Sequence, residues 1–169
     1  SKLESAPGRL EVISGPRNLS VVIDYAHTPD ALENVLKTLR DIDNGKELIC
    51  LFGCGGDRDK TKRPEMAKVA DRIVVTSHNS RTERTEDIMD DIRKGFSVNG
   101  LAKAIFISDR KEAIRASIMF AKDGGVILLA GKGHETYQII GTEHRHFDER
   151  EVVSEIFNSL TATKKEDKR

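Results

Sequence analysis

Short apolar runs alternate with amphipathic segments along most of this chain. The apolar runs have the length and the β-branched content of buried strands, and the segments between them place their apolar residues on one helical face. Strands that alternate with helices predict a mainly parallel sheet with helices on both faces. The pattern therefore predicts an α/β fold of about six strands. The predicted strands are residues 9–14, 19–24, 48–52, 73–76, 104–107 and 126–130. A final short strand is predicted at residues 137–140, and a short helix from residue 64 to about residue 70.

The polar residues between these elements include two predicted helix caps. Asp109 and Asp148 each precede a segment of helical periodicity and are assigned no chemistry. The last helix is expected to end near Leu160. Residues 1–160 therefore form one predicted domain, and the polar residues 161–169 are expected to be a disordered tail.

Composition narrows the range of partners. The chain has 169 residues with 28 basic and 28 acidic side chains, a balance that gives no reason to expect nucleic acid or an anionic membrane. No apolar run approaches the length that spans a bilayer. Cys50 and Cys54 do not form a zinc-ligand pattern and are expected to be reduced thiols of a cytoplasmic protein. No secretory signal is visible, and because the chain begins with Ser1, it is expected to be a piece of a longer protein.

Four unusual loops follow the predicted strands that end at Asp24, Phe52, Thr76 and Ala130. The carboxyl ends of parallel strands meet at one edge of a sheet, and open α/β sheets bind ligands there. The loop after Phe52 is the most unusual, because three glycines precede six charges in the seven positions 57–63. Glycine lets the backbone approach a ligand closely. Four such loops at one edge favour a binding site over ordinary solvated turns.

The charged side chains of these loops suit a zwitterion. Arg58 and Arg81 each offer a guanidinium for a carboxylate or a phosphate, and Glu135 offers a carboxylate for an ammonium. Cations and an anion at one edge fit an amino acid better than a simple phosphate. After the second strand, Asp24 could accept hydrogen bonds from ribose hydroxyls and His27 could contact a nucleotide. The alternative for His27 is a role in the turn or in the helix cap.

Two familiar nucleotide-binding motifs are incomplete in this chain. The dinucleotide fingerprint of dehydrogenases begins at Gly53-x-Gly55 but is broken, because Arg58 stands where its third glycine belongs. The segment Gly131-Lys132-Gly133 lacks both the upstream glycine and the Ser or Thr of a phosphate-binding P-loop. A lone nucleotide hydrolase and a dehydrogenase-type domain are therefore disfavoured.

Three segments carry a resemblance to a known family. They are Asp24-Tyr25-Ala26-His27-Thr28-Pro29-Asp30, Phe52-Gly53-Cys54-Gly55-Gly56-Asp57-Arg58-Asp59 with Lys62-Arg63-Pro64, and Ala130-Gly131-Lys132-Gly133-His134-Glu135. With these segments in this order, the sequence resembles the C-terminal domain of the Mur ligases from residue 8 to about residue 156. Among them it is most similar to the branch that adds a third amino acid. The resemblance implies a Rossmann-like domain that is separated here from the N-terminal and central ATPase domains.

The resemblance also implies the chemistry of a ligase of peptidoglycan biosynthesis in the cytoplasm. In this branch, ATP phosphorylates the free carboxylate of UDP-N-acetylmuramoyl-L-alanyl-D-glutamate, and the amine of the third amino acid attacks the acyl phosphate to form an amide. The central domain carries the P-loop and the Mg²⁺ sites. The C-terminal domain supplies the amino-acid pocket and part of the ATP site, so that no catalytic residue and no metal ligand is expected in this chain.

Individual site residues follow from the motif match. The segment His78-Asn79-Ser80-Arg81 stands where members that add meso-diaminopimelate carry Asp-Asn-Pro-Arg. The arginine favours a diamino diacid, whereas the two changed positions leave meso-diaminopimelate, lanthionine and lysine open. The implied amino-acid-binding residues are Arg58, His78, Asn79, Ser80, Arg81, Gly131 and Glu135, and the implied ATP-binding residues are Arg9, Asp24 and His27.

A different class of function remains as the alternative hypothesis. A non-catalytic nucleotide-binding or regulatory α/β domain would use the same sheet edge. It would bind ATP or NAD without any dependence on an amino acid, so that thermal shifts with each ligand would distinguish it from a ligase domain.

Overall fold

A computed structural model describes residues 8–42, 45–53, 69–79 and 81–168 of the chain. The helix predicted from residue 64 to about residue 70 lies almost entirely outside this part. Two of the predicted site residues, Arg58 and Ser80, lie outside it as well. The other predicted site residues are all described.

Six of the strands form one sheet. They are β1 (Glu11–Ser14), β2 (Ser20–Asp24), β3 (Leu48–Phe52), β4 (Arg72–Val75), β5 (Ala104–Phe106) and β6 (Val126–Ala130). Their order across the sheet is β1-β2-β6-β3-β4-β5. Every neighbouring pair is parallel except β1 and β2, which are antiparallel. The predicted α/β fold with a mainly parallel sheet is therefore confirmed, with residues 11–14 as its antiparallel edge strand.

Helices cover both faces of this sheet. Because successive strand side chains point to opposite faces, Cys50 of β3 packs with Leu36 and Ile92 on one face, and Leu51 packs with Ile114 on the other. Burying a large aliphatic side chain contributes about 1.5–3 kcal/mol, so each layer is held mainly by its apolar stripe. The described helices are α1 (Pro29–Ile42), α2 (Thr85–Lys94), α3 (Val98–Ala102), α4 (Arg110–Phe120) and α5 (Glu149–Asp167).

The two predicted aspartate caps are present. The carboxylates of Asp109 and Asp148 each accept a hydrogen bond of 3.0 Å from an N–H in the first turn of α4 and α5. The far end of α5 differs from the prediction, because the helix continues to Asp167, seven residues beyond Leu160. The side chains after Leu160 are polar but mostly good helix formers, and polarity alone does not end a helix. The hydroxyl of Thr161 also donates to the carbonyl four residues earlier, at 3.0 Å.

A separate two-stranded hairpin consists of β7 (Tyr137–Ile140) and β8 (Glu143–His146). The final strand predicted at residues 137–140 is thereby confirmed. Its partner β8 was not predicted, since all four of its residues are polar and exposed and show no apolar period. Arg81 makes an isolated parallel bridge to Ile140, which fastens the hairpin to the loop after β4.

The core also contains one of the two cysteines. Cys50 is buried within β3, and burial raises the pKa of its thiol to about 12. A thiol with this pKa stays protonated and unreactive at neutral pH. Of the helices in the described ranges, none has both the length and the apolar character to cross a bilayer.

Candidate functional site

The described residues that follow β2, β3, β4 and β6 converge at the carboxyl edge of the sheet. The N–H of Gly131 donates to the carbonyl of Asp24 at 3.0 Å, which joins the loops after β6 and β2. A Cβ atom at Gly53 would lie only 2.2 Å from the carbonyl oxygen of Thr76 and 3.1 Å from the nitrogen of His78. Gly53, the first residue after β3, therefore touches the loop after β4 backbone to backbone, and position 53 accepts glycine alone. The predicted convergence is confirmed for the loops after β2, β4 and β6 and for Gly53, whereas the rest of the loop after β3 lies outside the described residues.

Asp24 holds two backbone segments together at one side of this edge. The residue is 7% exposed, and its carboxylate accepts hydrogen bonds from the N–H of Leu10 (2.9 Å) and from the N–H of Ala26 (2.8 Å). The first bond holds the segment before β1 against the end of β2. Arg9 is therefore carried to the same edge, where its side chain is exposed. Each carboxylate oxygen of Asp24 keeps the capacity to accept one further hydrogen bond.

An exposed group of rings lies beside Asp24. The ring of Tyr25 is 4.9 Å from that of His27 and 5.8 Å from that of His134. His27 is turned back on the loop, with Nδ1 3.0 Å from the carbonyl oxygen of Tyr25. Gly133 has a φ of +54°, and a Cβ there would meet Cβ of Tyr25 at 2.8 Å, so the close approach of these two loops requires glycine. His27 thus takes part in the turn while its ring stays accessible.

The loop after β4 is bound to the hairpin by a buried polar network. Oδ1 of the buried Asn79 accepts a hydrogen bond from the N–H of Ile139 at 2.9 Å. Nε2 of Gln138 donates to Oγ of Ser77 at 2.7 Å and to the carbonyl of His78 at 2.8 Å. These bonds fix the loop on both sides of His78. Sequence reasoning missed Gln138, because this residue lies within an ordinary strand pattern.

The backbone of Arg81 is anchored by hydrogen bonds, whereas its side chain is exposed. Its φ is +55°, an uncommon value for a residue with a side chain. Its N–H donates to the carbonyl of Ile139 at 3.4 Å, and its carbonyl accepts from the N–H of Gly141 at 2.8 Å. The guanidinium is exposed at the edge. A strained, well-anchored backbone that presents an exposed guanidinium is the arrangement expected of a binding residue.

His78 and Glu135 form a half-buried pair that joins the loop after β4 to the loop after β6. Nε2 of His78 lies 3.5 Å from Oε1 of Glu135, and each side chain is 13% exposed. Burial, with the nearby charges of Arg110 and Lys132, lowers the pKa of His78 despite the opposing effect of Glu135. Burial would raise the pKa of Glu135, but His78 and Lys132 outweigh it and the pKa lies below its ordinary value. At neutral pH the pair therefore carries one negative charge, on Glu135.

Two neighbours hold the Glu135 segment in place. Nζ of the fully buried Lys132 donates to the carbonyl of Tyr137 and lies 5.7 Å from the ring centres of Tyr137 and Phe147. Burial and the charge of Arg110 lower the pKa of Lys132. The charge of Glu135 and a hydrogen bond to it raise the pKa of the Tyr137 hydroxyl. Glu135 is thus surrounded by groups that fix its position without a direct cationic partner at hydrogen-bond distance in the described residues.

The described residues among the predicted site residues lie in two groups at the carboxyl edge. His78, Asn79, Arg81, Gly131 and Glu135 meet at one place, where a Cβ on Gly131 would lie 3.9 Å from Nε2 of His78. The three predicted ATP-binding residues lie at the neighbouring place around Asp24. Among the described residues, no cluster of three or more His, Cys, Asp or Glu side chains could hold a metal ion.

Comparisons with known proteins agree with one another. The family described as Mur ligase, glutamate ligase domain, matches residues 8–133. The UDP-N-acetylmuramoyl-L-alanyl-D-glutamate–2,6-diaminopimelate ligase of Fusobacterium nucleatum is 50% identical over 157 residues, which are 90% of this chain and 32% of that protein. The ligase of the same name from Bacillus cereus is 52% identical over 157 residues, 90% of this chain and 31% of that protein.

A solved structure leads to the same group. A structure of a UDP-N-acetylmuramoyl-L-alanyl-D-glutamate–2,6-diaminopimelate ligase superimposes with a TM-score of 0.84 and 41% identity. The match covers 95% of this chain and 33% of that one. The chain therefore spans about a third of the length of the relatives that it matches.

Proposed function

The chain belongs to the Mur ligase family through its glutamate ligase domain, and we propose that it serves a member that adds a diamino acid. In this proposal it is the C-terminal, amino-acid-binding domain of a UDP-N-acetylmuramoyl-tripeptide synthetase. That ligase extends UDP-N-acetylmuramoyl-L-alanyl-D-glutamate, with meso-diaminopimelate as the favoured third residue, in the synthesis of peptidoglycan precursors in the cytoplasm. The N-terminal and central domains belong to the remainder of the longer protein.

One observation supports this proposal above the others. The loops after β4 and β6 bring an exposed guanidinium, that of Arg81, to the same edge as the carboxylate of Glu135. Because His78 is neutral beside it, Glu135 keeps a negative charge that is not cancelled by its nearest neighbour. An exposed cation and a carboxylate that keeps its charge, both at one sheet edge, suit the two charges of an amino-acid head group.

Each residue of the pocket then has a proposed role. Glu135 binds the ammonium at the far end of the diamino acid, and Arg81 binds the carboxylate beside it. Asn79 fixes the loop that carries Arg81, since its amide oxygen holds the N–H of Ile139. Gly131 leaves room for the ligand next to His78. Arg58 and Ser80 are included on the motif match alone.

The neighbouring group of Arg9, Asp24 and His27 is proposed to take part in binding ATP. The exposed side chains of Arg9 and His27 fit an anionic nucleotide, and the remaining acceptor capacity of Asp24 fits a ribose hydroxyl. Bound Mg²⁺ is proposed to be held mainly by the central domain. ATP supplies the phosphoryl group that activates the substrate carboxylate.

The role of this chain in the reaction is to position the diamino acid. The amine of the diamino acid must reach the acyl phosphate, and orientation of two reactants can supply about 7–11 kcal/mol of the barrier. Glu135 and Arg81 hold the distal end, so that the reacting amine points out of the pocket toward the activated carboxylate. No residue of this chain is assigned a covalent or proton-transfer role.

The test uses the full-length protein that contains this chain. Phosphate release from ATP is measured with UDP-N-acetylmuramoyl-L-alanyl-D-glutamate and, in turn, meso-diaminopimelate, lanthionine and lysine. The proposal expects release that requires both the UDP-dipeptide and a diamino acid. Binding of ATP or NAD without any turnover that depends on an amino acid would overturn the proposal and favour the regulatory nucleotide-binding domain.

A further inference from the structure

Arg110 is a fully buried cation at the first position of α4. Its Nε and Nη2 each lie 3.1 Å from Oε2 of Glu149, and neither side chain is exposed. Nη1 donates to the carbonyl of Ser77 at 3.0 Å, and Nη2 donates to the carbonyl of Ala130 at 3.1 Å. One guanidinium therefore joins a carboxylate of α5 to two backbone carbonyls at the carboxyl edge of the sheet.

These two carbonyls precede the two halves of the proposed amino-acid pocket. Ser77 is followed by His78 and Asn79, and Ala130 is followed by Gly131. The strands β4 and β6 are not neighbours, since β3 lies between them. Sheet hydrogen bonds therefore do not connect these strand ends directly, whereas Arg110 does.

A gain in stability does not by itself explain the buried ion pair of Arg110 and Glu149. A buried ion pair often contributes no more than an apolar pair of the same volume, because two charges must be removed from water. Oε1 of Glu149 is buried and has no hydrogen-bond partner among the described residues. A cation in the first turn of a helix is also disfavoured by the helix dipole, and Arg110 occupies that position in α4. Local rules broken in this way are expected at sites under functional constraint.

We propose that Arg110, held by Glu149, is a positioning residue that sets the spacing between the Asn79–Arg81 loop and the Gly131–Glu135 loop. Arg110 does not touch the substrate in this scheme. It fixes the distance between the groups that bind the two charges of the diamino acid, and so determines how tightly that substrate is held. This inference rests on the function proposed above.

The first test compares Arg110→Lys with a matched control in the full-length protein. Lysine keeps the positive charge but cannot reach a carboxylate and two carbonyls at once. Arg40→Lys is the control, since Arg40 donates to the carbonyl of Val69 at 2.8 Å and pairs with Asp71 at 3.0 Å, away from the carboxyl edge. A misplacement of about 1 Å in a site can cost about a hundredfold in rate. Arg110→Lys is expected to raise KM for meso-diaminopimelate about tenfold or more and KM for ATP less than about threefold, and Arg40→Lys is expected to change neither.

A second variant separates positioning from stability. Arg110→Met combined with Glu149→Leu replaces the ion pair by an apolar pair, which removes both buried charges together, so the protein is expected to fold, with a melting temperature that is lowered because two carbonyls lose a donor. The carbonyls of Ser77 and Ala130 lose their shared donor in this variant. We therefore expect KM for the diamino acid to stay raised although the protein is folded.

Several results would overturn the inference. One is an unchanged KM for the diamino acid in the apolar double variant, and another is an equal rise in the KM values for the diamino acid and ATP in Arg110→Lys. The others are an effect of Arg40→Lys as large as that of Arg110→Lys, and failure of both Arg110 variants to fold. The last result would make the pair a structural element. If the wild-type protein uses no diamino acid at all, the proposed function itself fails, and that outcome is seen before any variant is made.

Discussion

Glutamine at position 135 would remove the charge of the carboxylate and keep its shape. In the structure, the nearest ionisable neighbour of the carboxylate is His78, with Nε2 at 3.5 Å, and the pKa of that histidine is lowered mainly by burial. Nζ of Lys132 is directed to the carbonyl of Tyr137. The charge of Glu135 is therefore available to a bound ammonium, and Glu135→Gln in the full-length protein should weaken amino-acid binding.

The size of the effect follows from the surroundings of Glu135. A hydrogen bond to a charged group contributes about 1.5–3 kcal/mol, and about 1.4 kcal/mol corresponds to a factor of ten. With the side chain only 13% exposed, the contact is largely shielded from water, and a contribution within that range is expected. KM for the diamino acid is therefore expected to rise by about ten- to a hundredfold, with KM for ATP nearly unchanged.

A second histidine–glutamate pair provides the control. His146 and Glu151 lie 2.8 Å apart on the surface, so Glu151→Gln removes the same kind of charge from an exposed pair that is not among the proposed amino-acid-binding residues. Steady-state kinetics with each substrate and the melting temperature should be measured for both variants. Glu135→Gln should melt within about 4 °C of the wild type, which corresponds to less than about 1 kcal/mol. A large fall in melting temperature together with an unchanged KM would refute the reasoning and make Glu135 a structural carboxylate.

Four further outcomes are expected. His78→Asn should flatten the pH dependence of the free energy of unfolding. Because the pKa of His78 is lowered in the folded protein, the unfolded chain binds this proton more tightly, and stability rises with pH up to about 6.5. Denaturation at several pH values checks this, and an unchanged slope would contradict it. The wild type is expected to prefer a diamino diacid over lysine by about a hundredfold in kcat/KM, and Arg81→Ala should abolish most of this preference. Comparable use of lysine by the wild type would show that Arg81 does not bind the distal carboxylate. Arg58→Ala should raise KM for the amino acid by about ten- to a hundredfold and KM for ATP less, whereas equal effects would assign that loop to the nucleotide. The present chain alone should release no phosphate, because a single domain cannot hold all the reactants together; release that depends on UDP-dipeptide and amino acid would disprove this.

The sheet and the meeting of its loops could be predicted from the sequence because both follow from local patterns. Each strand is an apolar run, and parallel strands carry their loops to one edge whatever the details of packing. The hydrogen bond between Gly131 and Asp24 and the close contact of Gly53 with Thr76 realise that expectation. The caps Asp109 and Asp148 were equally predictable, since a cap acts within one helical turn.

The groups that fix the site could not be predicted, because they act over long separations in the chain. Arg110 and Glu149 are 39 residues apart, and no local pattern in the sequence connects them. Gln138 contacts Ser77 across 61 residues from within an ordinary strand. Lys132 had the appearance of an exposed loop residue between two glycines, yet it is fully buried against the hairpin. Only the folded arrangement gives these side chains their partners.

The direct contact of backbones at Gly53 and Gly133 has a consequence for how this domain can diverge. These main-chain contacts form a frame for the site. Substitution of either glycine cannot adjust this frame, because any Cβ at these two positions meets a neighbouring loop at less than 3 Å. Substrate choice can then change only through the side chains that the frame presents, such as His78 and Arg81. A lineage that acquires a new amino acid would be expected to vary at those positions while both glycines stay invariant, so that chemical diversity accumulates on a conserved main-chain geometry.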